Sequence, residues 1–137
     1  MQSKKTIITA IIVIVVIALI IIIARRTDDI AVIEKNRTQI VEHIQVIGAL
    51  AFDYYSTEID DVERGTFEGF TLPEEYAHTD FGSFELTTIN QQSVTIQAVS
   101  VYEYGVVEAK IDSSGQLIDW SYTGYFDTIP GKYGLKP

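Results

Sequence analysis

Nineteen consecutive residues near the N-terminus, Thr6 to Ala24, contain no charge, no proline and no glycine. As an α-helix they would run roughly 28 Å, close to the ~30 Å hydrocarbon core of a bilayer. Any fold for this chain must surround that segment with lipid or with other apolar helices. A cleaved secretory signal has a shorter apolar core of about 7–15 residues, closed by small residues that suit a peptidase. Here the residues after Ala18 stay bulky up to Ala24-Arg25-Arg26, which favours a retained single-pass anchor across residues 6–24. The same stem could leave the bilayer and become the core of a helical filament. Lys4 and Lys5 precede the span and Arg25 and Arg26 follow it, so flanking charge gives a near tie on orientation. An N-terminal anchor before a distal domain favours an inner-membrane protein with its N-terminus in the cytoplasm and its domain outside. Assembly into a filament would place that domain at the cell surface.

Of the 137 residues, the 113 beyond Ala24 suffice for one small domain. The formal net charge is −9, and between Thr38 and Ala109 a single basic residue, Arg64, faces 13 Asp and Glu. Such a surface repels nucleic acid and excludes it as a partner class. With no cysteine, disulfides, thiolate metal sites and a cysteine nucleophile are also excluded. All eight Tyr, six Phe and the one Trp lie after residue 51, enough aromatic material for a core without cross-links.

Five segments follow from the pattern. Residues 1–27 form the hydrophobic stem, and residues 28–57 its amphipathic half, with Ile30, Ile33, Ile40, Ile44, Ile47 and Ala51 at helical spacing on one face. Thr27-Asp28-Asp29 could cap a fresh start, but no proline or glycine occurs before Gly48. One helix from about Lys4 to about Tyr55 is therefore expected, roughly 75 Å long. Residues 58–82 read as an acidic loop pinned down by Phe67, Phe70, Leu72, Tyr76 and Phe81. Residues 83–124 alternate as four strands: Phe84–Thr88, Val94–Val101, Val106–Ile111 and Leu117–Thr123, with turns at Asn90-Gln91-Gln92, Gly105 and Asp112-Ser113-Ser114-Gly115. Their short linkers imply an antiparallel meander, whose apolar face (Leu86, Ile96, Val107, Ala109, Trp120) the amphipathic helix would cover. Residues 125–137 read as a loosely structured tail, open to crossing onto a neighbouring subunit.

The chain offers little for catalysis. His43 and His78 form no HxxxH or HExxH arrangement, and no GxGxxG, Walker or GxSxG motif occurs. No enzyme, cofactor or metal is expected. Glu58, Asp60, Asp61 and Glu63 are the best Ca²⁺ candidates, yet they lack the alternating ligands and the glycine of an EF-hand, and a solvated acidic loop accounts for them. Asn36-Arg37-Thr38 matches a glycosylation acceptor by pattern, but within a helix.

The order of parts resembles a type IV pilin or pseudopilin, in which an apolar helix continues into an amphipathic half carrying an antiparallel sheet. A closer resemblance is to bacterial pilin-like membrane proteins, through Asn36-Arg37 at the start of the second half-helix, Tyr54-Tyr55 at its end, and Phe67-Glu68-Gly69-Phe70-Thr71-Leu72-Pro73 before the sheet. The chain departs from prepilins in having no Gly or Ala processing site before the span and no glutamate inside it. The resemblance implies an α+β fold and a structural subunit of a pilus-like filament, polymerising with copies of itself through Ile7, Ile11, Ile14, Ile17, Ile21, Ile30, Ile33 and Ile40. The head core would then contain Ile44, Ile47, Tyr54, Phe70, Leu86, Ile96, Val107 and Trp120. The alternative is a single-pass anchored, non-catalytic binding domain that does not polymerise.

Overall fold

The computed structural model describes residues 4–129, apart from the side chains of Arg26 and Thr27. A first helix, α1 (Lys4–Ser56), is followed by a small hairpin β1 (Glu58–Ile59) and β2 (Val62–Glu63), and by a one-turn helix α2 (Glu74–Ala77). The strands β3 (Gly82–Ile89), β4 (Ser93–Ser100), β5 (Val106–Asp112) and β6 (Leu117–Tyr122) come next, and α3 (Tyr125–Thr128) closes the described chain. The fold is α+β, as expected, and α1 is a single helix. Two compact units divide at Val32/Ile33; residues 4–32 are called the stem here, and 33–129 the head.

The head is a meander of order β3-β4-β5-β6, every neighbour antiparallel. Its inward face alternates with the pleat: Val94, Ile96 and Ala98 on β4 and Val107, Ala109 and Ile111 on β5 are buried, while Gln97 and Glu108 face outward and meet across the strands. Helix residues Ile40, Val41, Ile44, Ile47 and Ala51 cover that face and join it in one core with Phe67, Phe70, Phe84 and Phe126. Each buried isoleucine contributes about 1.5–3 kcal/mol relative to an exposed one. Of the expected core residues, Ile44, Ile47, Phe70, Ile96 and Val107 are buried, and Tyr54, Leu86 and Trp120 pack half-buried against them. Gly48 lets β6 approach the helix, since a Cβ there would lie 3.2 Å from the Leu117 side chain.

Three sequence expectations are corrected. The acidic stretch 58–63 is a hairpin, with both turn residues at positive φ (Asp60 54°, Asp61 64°); aspartate tolerates this region better than most residues. The tail is ordered in its first five residues, because Phe126 and Ile129 are buried; its remainder, from Pro130, lies outside the described residues. Ile40, expected on the stem interface, is completely buried in the head, and Ile33 packs partly against the same core. The reason is local: Gly82 at the start of β3 has no side chain, and a Cβ there would sit 3.3 Å from Ile40 Cγ1.

The Asn36 end of the head is held by polar side chains. Asn36 is 2% exposed; its Nδ2 donates to Phe81 O at 3.0 Å and its Oδ1 accepts from Ser100 Oγ at 2.7 Å. Ser100 Oγ accepts in turn from Tyr102 N at 3.1 Å. One amide thus joins the helix, the start of β3 and the β4–β5 turn. Asn36→Ala would leave a buried hydroxyl and a carbonyl without this partner, at a cost of about 1–3 kcal/mol. Urea denaturation of the head checks this, and an unchanged midpoint would contradict it. Beside it, Arg37 Nη1 donates to Phe126 O at 2.8 Å and Ile129 O at 3.2 Å, which anchors α3. Its guanidinium also lies 5.7 Å from the Tyr122 ring centre.

Candidate functional site

The stem is the feature of this chain that most needs a partner. Ile11, Ile12, Val13 and Ile14 occupy four successive positions, hence every side of a helical turn, and each is at least half exposed. A helix apolar on all faces belongs in lipid or among other helices. It is the one helix among the described residues long and apolar enough to cross a membrane. Its backbone groups are satisfied internally, as a spanning segment requires, and Thr9 Oγ1 donates to Lys5 O at 2.9 Å, so that hydroxyl carries no unmet demand into an apolar medium. Ile and Val are held near one χ1 rotamer in a helix, so such a surface loses little side-chain entropy when it packs.

Five of the expected interface residues, Ile7, Ile11, Ile14, Ile17 and Ile21, are 48–66% exposed and fall on one helical face by spacing, with Ile30 still 38% exposed beyond the arginines. Ile33 and Ile40 belong to the head. On α1 the continuous exposed apolar surface therefore stops at about Val32, beyond which Val46 is exposed singly.

Most of the residues that carry the pilin-like resemblance do structural work in the head. Tyr54 Oη donates to Glu68 O at 2.8 Å, and Gly69, at φ +88°, passes so close that a Cβ would meet the Tyr54 oxygen at 2.7 Å. The Arg64 guanidinium lies 3.7 Å over the Tyr54 ring. Tyr55 packs on buried Phe67 with ring centres 4.6 Å apart, and Tyr54 on Phe70 at 5.6 Å. Together these contacts fasten the connection between helix and sheet onto the end of α1. Asn36, placed inside a helix and 2% exposed, is not available to a glycosyl donor.

His43 lies in a shallow groove of about 300 Å³ with Gln39, Glu42, Val46 and Phe81. Its Nε2 is 2.9 Å from Tyr76 O, and its ring is 4.3 Å from that of Phe84. His78 instead forms a β-bridge with Ser83. Among the described residues no three His, Asp or Glu side chains are placed to hold a metal ion; in the acidic hairpin Glu58 pairs across from Glu63. Asp112 caps the β5–β6 turn: its carboxylate accepts from Ser114 Oγ, Ser114 N and Gln116 N. The Ser114 hydroxyl, with those backbone N–H groups, holds its pKa below the ordinary value, and desolvation opposes this.

The Tyr122 hydroxyl is buried with no hydrogen-bond partner among the described residues. Burial raises its pKa, and the Arg37 charge opposes the rise. Removing this oxygen relieves a desolvation cost that no bond offsets, so Tyr122→Phe is expected to leave stability unchanged or raise it by up to about 1 kcal/mol. A thermal melt of the variant checks this, and a marked loss would reveal a hidden partner.

No protein-family model, curated protein or solved structure matches the chain.

Proposed function

We propose that this chain is a structural subunit of an extracellular pilus-like filament, non-catalytic and polymerising through its apolar N-terminal helix. The observation that carries this reading is a stem apolar on every face, joined in one helix to a head that closes its own core without it. An isolated anchor needs only to be long enough to span. Here the helix continues past the arginines through Ile30 and Val32, both still exposed, and only then enters the head. In this reading the subunit waits in the inner membrane with its head outside, and copies of itself replace lipid around the stem when the filament forms.

The second reading, a single-pass anchored interaction domain that stays monomeric, rests on the same span and on the absence of a glutamate within it. Chemical cross-linking of intact cells, followed by extraction in mild detergent, separates the two. The filament reading expects a ladder of multimers containing this chain, whereas a single monomeric species contradicts it.

A further inference from the structure

Among the described residues of the head, eight large apolar side chains are exposed, and half of them fall in one place. Val99, Val101, Tyr102 and Tyr125, each 42–60% exposed, lie at the Asn36 end. Val101 N donates to Phe81 O at 3.3 Å, Tyr125 N donates to Tyr104 O at 2.8 Å, and the Tyr102 and Tyr104 rings lie 5.5 Å apart, so they share one surface. That surface is rigid. Gly105 and Gly124 cross so tightly that a Cβ on either would collide with backbone, and the Asn36 and Arg37 hydrogen bonds fix the same turns to the helix. Fixed tyrosines give large contact area at low entropic cost and are favoured at protein interfaces.

Charge narrows what can dock there. Exposed Asp80 precedes Phe81, exposed Glu103 separates the two tyrosines of the β4–β5 turn, and exposed Asp127 lies two residues after Tyr125. None of these three carboxylates is in an ion pair among the described residues. The head has little cation to offer them. Of the four basic residues in 33–129, Arg37 donates to Phe126 O and Ile129 O, Arg64 lies over Tyr54 and Lys110 pairs with Asp119 at 3.3 Å. Lys35, on α1, has no ion pair among the described residues. Against those four stand 17 acidic residues, a formal charge of −13 for 33–129. A second head brings the same sign and is repelled, as is an anionic bilayer. A cation on an apolar stem fits: its head meets tyrosine faces and unpaired carboxylates, and its stem covers the valines.

We infer that the tyrosine surface at residues 101–104 and Tyr125 docks an arginine- or lysine-bearing segment of a partner protein. The contact lies within the head, so it holds whether stems polymerise or stay single. The tyrosines supply most of the affinity, and the carboxylates select for positive charge.

The full chain in uncharged detergent is titrated into a fluorescent peptide of alternating arginine and glycine, read by anisotropy. Salt is kept near about 0.15 M, which screens charges beyond roughly 8 Å. Tyr102→Ser combined with Tyr125→Ser is expected to weaken binding roughly tenfold, and Glu103→Gln combined with Asp127→Asn to do likewise. Asp60→Asn combined with Asp61→Asn removes as much charge from the β1–β2 hairpin and is expected to change the affinity less than about twofold. Circular dichroism checks that each variant keeps its fold. No binding by the full chain would overturn the docking, and so would equal losses from the two acidic pairs with none from the tyrosines. Binding to phosphatidylglycerol vesicles that the tyrosine variant loses would assign the surface to a bilayer instead. Self-association lost in the same variant would assign it to a second copy. Peptide bound only by a chain that ends at Ile129 would assign it to residues 130–137, and each of these three results would overturn the proposal.

Discussion

A chain that begins at Asp29 is expected to leave the membrane fraction completely and to remain a folded, soluble monomer. The 14 Ile, Val and Leu residues between Thr6 and Ala24 favour insertion by about 0.3–0.6 kcal/mol each, roughly 4–8 kcal/mol in all. Deleting them changes the partition by about three to six powers of ten. The head keeps its fold because every core residue lies at or beyond Ile33, and the Asn36, Arg37 and Ile40 contacts survive the cut. Fractionation with circular dichroism of the soluble product tests both halves of this expectation. Persistent membrane association would show a second anchor, and polymers built from the truncated chain would refute the role given to the stem.

The second large effect is at Gly105. Its φ is +150°, and a Cβ would collide with Thr123 O and sit 3.1 Å from Phe126 Cδ2. Thr123 cannot retreat freely, because its N–H donates to Val106 O at 3.0 Å while Tyr125 N holds Tyr104 O. Gly105→Ala therefore combines backbone strain with a collision against backbone, about 3–5 kcal/mol together. That is a large part of the roughly 5–15 kcal/mol typical of a small domain. Gly48→Ala is the control: its Cβ meets only the Leu117 side chain at 3.2–3.4 Å, which can turn aside, so a change under about 1.5 kcal/mol is expected. Urea denaturation of the two soluble heads should separate them clearly. Equal midpoints would mean that the 104–105 and 123–124 crossing is loose.

Much of this is legible in the sequence because the periodicities are clean. The four strands fall within about two residues of their expected bounds, since each runs between strong turn signals such as Asn90, whose Oδ1 accepts from Gln92 N and Ser93 N. The long helix is legible because nothing before Gly48 breaks it. Apolar spacing alone misplaces the division between stem and head, although the polar residues contain the correction. Asn36 and Arg37 stand three and four residues beyond Ile33 and before Ile40, so they lie on the apolar stripe itself. Polar residues on a buried stripe need partners, and those partners are Phe81, Ser100, Phe126 and Ile129. The partners are 45–92 residues away, a separation that no local pattern encodes. For the same reason the tail's Phe126 does not announce its burial, and the Asp60-Asp61 turn lacks the glycine that usually marks its type.

The tyrosine surface illustrates a further limit of pattern. Tyr102, Tyr104 and Tyr125 read equally well as core or surface residues, and only the folded turns show which of them face outward.

The central claim, that the stem holds copies of this chain together outside the cell, is tested most directly by negative-stain microscopy of sheared cell-surface material. Antibody raised against the soluble head would mark the chain. Labelled filaments are expected from cells expressing the full chain, and none from cells expressing the form that begins at Asp29. Full-length expression at the surface without any labelled filament would contradict it.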